Sequence, residues 1–154
     1  MNKFWLYSWR KSLRIVLGVI LCVGLMFPSP AAASLVKEPV TEVQVSLGNA
    51  ENELKFFPSN LQFMADKRYK LVITNPSPQK HYFTAKDFAD AIWTQAVKDD
   101  KIEVKGAVHE VEILPGGKAE WTFVALKPGT YSLRCPIAGH TEAGMIGQIA
   151  VSAN

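Results

Sequence analysis

Cysteine and histidine are scarce here: two and three among 154 residues. One of the cysteines, Cys22, lies in a stretch ordered like a secretory leader. Lys3, Arg10, Lys11 and Arg14 give a basic start, Ile15 to Phe27 is nearly all apolar, and "PSPAAAS" offers small residues for cleavage after Ala33. Long apolar runs are missing too, since this one falls short of the ~20 residues that a spanning helix needs. Residues 1–33 are therefore expected to be a cleaved signal peptide, which leaves no stable membrane anchor. Of the 17 Lys and Arg, four belong to that leader, leaving 13 against 14 Asp and Glu, a net charge of −1. With no basic excess, nucleic acid and anionic membranes are poor partners. The remaining domain carries one thiol, Cys135, and cannot close an internal disulfide. A solitary thiol in an oxidising compartment needs burial or a metal.

Repeats and low-complexity tracts are absent as well. Residues 34–41, "SLVKEPVT", read as a flexible lead-in, and 42–154 as one domain. That length suffices for a real core. Within it, short segments of period 2 alternate with turn residues: "EVQVSL", "YKLVITN", "HEVEIL", "EWTFVAL", "TYSLRC" and "MIGQIAVS". This is the pattern of an all-β sandwich or barrel. One segment departs from it. Phe88, Ile92 and Trp93 recur at helical spacing, and Thr84 with Asp87 offers a capping box, so a short helix is expected over 86–97.

The most informative stretch is "YSLRCPIAGHTEAGMIGQIAV", with Cys135, His140 and Met145 at five-residue intervals. Strand parity places Cys135 on the face of Tyr131 and Leu133, and Met145 in phase with Ile149 and Val151. A thiol ending one strand, a thioether opening the next and an imidazole between them can converge. Taken singly, each has a plainer use: a small buried hydrophobe, a solvated loop histidine and a core methionine. Their conjunction favours a soft metal. A fourth ligand is expected from elsewhere, and His81, at the junction of the "NPSPQK" turn with a strand, suits it better than His109. His109 reads as a core-edge residue, and Trp93 and Trp121 as packing. Two imidazoles, a thiolate and a weak thioether suit copper cycling by one electron. A structural zinc site would want four strong ligands. A thiol enzyme would want a carboxylate to orient His140.

These residues resemble the C-terminal signature of the cupredoxins, the plastocyanin and azurin family of blue copper proteins. The Cys135–His140–Met145 spacing is most like that of auracyanin and rusticyanin, and "ITNPSPQKHYF" places the upstream histidine ligand at His81. The resemblance implies a Greek-key β-sandwich holding one type 1 copper, bound by His81, Cys135, His140 and Met145. It implies an electron carrier. His109 is the only spare histidine for a catalytic copper, so no enzyme is expected. The leader points to export to a periplasm or thylakoid lumen, with a monomer expected. Redox proteins would dock near the His140 loop, against Pro136, Ile137, Ala138 and Ala143. The other reading is a copper carrier or sensor without a redox circuit, although such proteins tend to be richer in methionine than Met64 and Met145 allow. Two positions depart from the family. Tyr82 stands where plastocyanin and azurin have an Asn that ties the ligand segments together, and Pro136 offers the sulfur no N–H, leaving Ile137 as the expected donor.

Overall fold

In the computed structural model, residues 39–99 and 103–154 are described, so the expected leader and most of the lead-in lie outside them. Strand β1 (Val40–Leu47) begins two residues before the expected domain start. The strands β2 (Phe56–Phe57), β3 (Asn60–Met64), β4 (Arg68–Thr74) and β5 (His81–Thr84) follow. After the single helical turn α1 (Lys86–Ala89) come β6 (Ile92–Lys98), β7 (Glu103–Val104), β8 (Glu110–Ile113), β9 (Lys118–Ala125), β10 (Gly129–Arg134) and β11 (Ile146–Ser152).

The strands form two sheets, ordered β2-β1-β4-β9-β6-β7 and β3-β11-β10-β5-β8. Successive strands from β3 to β6 alternate between the sheets, giving the crossed connections of a Greek-key sandwich. Two pairs are parallel, β1 with β4 and β11 with β3, and the rest antiparallel. Period-2 sequence becomes one buried face per strand: Leu61 and Phe63 on β3, Trp121 and Phe123 on β9, Ile149 and Val151 on β11. Gly147 allows β11 to lie close to the chain before β3, because a Cβ there would sit 2.5 Å from the Ser59 carbonyl oxygen.

The expected helix over 86–97 is corrected to one turn followed by a strand. Ile92–Lys98 pairs with β9, Ile92 opposite Ala125 and Lys98 opposite Glu120, with an irregularity between Thr94 and Ala96. That bulge shifts the alternation, so Ile92, Thr94, Ala96 and Val97 are all buried. The cap differs as well. Ala85 stands at the N-cap with no side-chain bond, while the Thr84 hydroxyl donates to Glu110 at 2.7 Å. Trp93 points outward, 40% exposed, and the packing expected of it falls to Phe88, which is fully buried. Phe88 stacks on Phe63 with ring centroids 5.7 Å apart and meets Phe123 edge-on at 5.3 Å. It also faces Trp121 and Tyr131. Trp121 is core, as its strand pattern implies.

Candidate metal centre

Three elements deliver side chains to one end of the sandwich. β5 opens on His81, β10 ends one residue before Cys135, and β11 begins one residue after Met145. The register pairs Arg134 with Ile146, and one step further the Cys135 N–H donates to the Met145 carbonyl at 3.1 Å. That rung closes the base of the loop. Above it, the N–H of His140 donates to Ile137, that of Met145 to His140, and that of Ala143 to Gly139. The Thr141 hydroxyl donates to the Cys135 carbonyl at 2.8 Å. Local hydrogen bonds thus fix the loop.

One ligand atom each from His81, Cys135 and His140 lies within 4.8 Å of the others. His140 Nδ1 is 3.4 Å from Cys135 Sγ, and the two imidazole centroids are 5.1 Å apart, inclined by 57°. His81 and Cys135 are fully buried, while His140 keeps 7% of its surface exposed. Met145 is buried and shares backbone hydrogen bonds with both Cys135 and His140. His109 is not part of the group. The core-edge place expected of it is corrected too: it is exposed, with Nε2 2.7 Å from Asp90 Oδ1.

Burial pushes the His81 imidazole below its ordinary value of 6.5, and the nearby His140 ring adds to the shift. The unfolded chain takes up this proton near pH ~6.5, whereas the folded one resists until lower pH. Stability of the metal-free protein should therefore fall as the pH drops below that value. Melting temperatures from about pH 8 to about pH 5 check this. His81→Gln should flatten the acid limb, and an unaltered slope would assign the acid sensitivity to other groups.

The residues fit a soft metal on two independent counts. The donor set is one sulfur and two imidazoles, the types that suit copper. And His81 Nδ1 is a buried nitrogen without a hydrogen-bond partner, which a coordinate bond would satisfy.

The neighbouring shell was less visible in the sequence. Tyr82, whose side chain departs from the family pattern, supplies its backbone N–H to Cys135 Sγ at 3.5 Å, the part expected of Ile137. Asn75 was read only as part of a turn. It is fully buried, and its Nδ2 donates to the carbonyls of Gln79 and Ile113, both at 2.8 Å. Its backbone bonds to Gly116 and Gly117. It thus fastens the turn before His81 to the β8–β9 connection, a tie that joins segments otherwise far apart in the chain.

Compared with known proteins, residues 43–152 match the profile described as "Copper binding proteins, plastocyanin/azurin family". The chain belongs to this family. The cupredoxin fold and the His81–Cys135–His140 group, able to bind one copper ion, agree with that membership. Among curated relatives, it is 24% identical over 131 residues to chloroplastic plastocyanin of Silene latifolia subsp. alba, covering 84% of this chain and 72% of that one. It is 30% identical over 102 residues to the copper-resistant cuproprotein CopI of Rubrivivax gelatinosus, covering 64% of this chain and 60% of that protein. Among solved structures, dithionite-reduced auracyanin from Roseiflexus castenholzii superposes with a TM-score of 0.52 at 20% identity, over 73% of this chain and 97% of that one. This supports the fold.

Proposed function

We propose that this cupredoxin is a carrier of single electrons between larger redox proteins, not an enzyme. The observation that carries this is the buried convergence of one thiol and two imidazoles within 4.8 Å. His81, Cys135 and His140 would hold the ion, with the Met145 thioether as a weak fourth ligand. Copper in such a set supplies a one-electron couple between Cu(I) and Cu(II). The protein's own part is to hold the donors still. Cys135 gives up its thiol proton on binding metal, the Tyr82 N–H steadies the sulfur, and the closed loop fixes His140. Burial keeps water off Cys135 and His81, so little needs to rearrange when the charge changes.

His140 alone of the three reaches the surface, and the exposed Pro136, Ala138 and Ala143 surround it in sequence. A redox protein docking there would exchange electrons through that imidazole. The leader pattern of residues 1–33 supports export to a periplasm or thylakoid lumen, and the domain would act as a monomer. No helix among the described residues is long and apolar enough to cross a membrane.

A copper-handling role without a redox circuit is the second reading, favoured by the likeness to a copper-resistant cuproprotein. Stopped-flow electron exchange between the copper-loaded protein and a soluble cytochrome, at two ionic strengths, separates them. Ala138→Lys should slow exchange, whereas Asp87→Lys, on α1 at the other end of β5 from His81, should not. Copper uptake without reversible reduction would support the second reading.

A further inference from the structure

His81 has two ring nitrogens, and only one lacks a partner. Nε2 lies 3.0 Å from the Ser77 hydroxyl, while Nδ1 has no hydrogen bond. Ser77 is itself nearly fully buried, and its N–H donates to Asn75 Oδ1 at 3.0 Å. Its hydroxyl oxygen receives the Gln79 N–H at 3.2 Å. The hydroxyl's own proton has two oxygens within reach, Asn52 Oδ1 at 3.2 Å and the Gln79 carbonyl at 3.4 Å. Neither oxygen carries a proton, so each can only accept. Asn52 Oδ1 is held in place by Gln79 Nε2, which donates to it at 2.8 Å.

We propose that Ser77 is a positioning residue that fixes His81 in its Nε2–H tautomer, leaving the Nδ1 lone pair bare toward Cys135 and His140. Asn52 or the Gln79 carbonyl takes the serine proton, the serine oxygen then accepts from His81 Nε2–H, and Nδ1 is left without a hydrogen. The opposite tautomer would bury an Nδ1–H with nothing to receive it, and a stranded buried donor is costly. The β1–β2 connection makes room for the arrangement at Gly48. There φ is +73°, and a Cβ would lie 2.9 Å from Ser77 Cβ and 3.1 Å from His81 Nε2. The value of the relay for metal binding rests on the copper reading above. The tautomer itself does not.

Long-range proton–nitrogen NMR of the metal-free, 15N-labelled protein tests it. The wild type should show His81 in one tautomer, protonated at Nε2. Ser77→Ala should populate both tautomers and weaken Cu(II) binding, measured by chelator competition, roughly tenfold to a hundredfold, while Ser77→Thr restores both. A wild-type His81 protonated at Nδ1 overturns the proposal, with no variant needed. So does a Ser77→Ala protein with unaltered tautomer and affinity. A wild type with the fixed Nε2–H tautomer that forms no blue complex would instead defeat the copper reading and leave the relay standing.

Discussion

Serine in place of Cys135 should abolish the intense visible absorption that Cu(II) gives the wild type and that a mild reductant bleaches reversibly. The colour requires a thiolate, and an alkoxide is not formed at neutral pH. The fold should survive, because serine is close in size and its hydroxyl would meet the Tyr82 N–H and His140 Nδ1 already facing the sulfur. The cost would be about 1 kcal/mol, the scale of one exchanged hydrogen bond. His81→Ala should also remove the colour or greatly weaken copper binding. His109→Ala should leave the spectrum alone, because that ring sits against Asp90 instead. A blue Cys135→Ser protein, or a His109 variant that loses its colour, would defeat the ligand assignment.

Phe88→Ala should cost roughly 3–5 kcal/mol, the range of a large aromatic removed from a closed core. Its ring touches both sheets, through Phe63 and Tyr131 on one and Trp121 and Phe123 on the other. Trp93→Ala should cost less, roughly 1–2 kcal/mol, since the outward indole covers only part of its surface. Chemical denaturation of the two variants decides the matter. Equal losses, or a larger one for Trp93, would mean that Trp93 packs more tightly than its exposure indicates.

What could be read in advance and what could not follow from the range of the interactions. The meeting of Cys135 with His140 was legible because it lies in local spacing and strand parity. His81 was legible from its place at the end of a turn. The β6 segment misled because the spacing of Phe88, Ile92 and Trp93 spans two elements. Phe88 lies in the turn α1, while Ile92 and Trp93 are adjacent strand residues facing opposite ways, in a strand set by its pairing with β9. Asn75 and Ser77 looked like ordinary turn residues, and their roles depend on Ile113, Asn52 and His81 arriving beside them. The Asp90 partnership of His109 arose in the same way, across 19 residues of chain.

The direction of the first and last strands has a practical result. β1 runs from Val40 toward Gly48, which abuts His81, and β11 runs away from Met145 to Ser152. Each strand is seven or eight residues long, roughly 25 Å at strand pitch. Val40 and Ser152 therefore both lie at the pole remote from the ligands. A tag, a fused protein or a linker to an electrode attached beyond Ser152 should leave the His140 face turned outward.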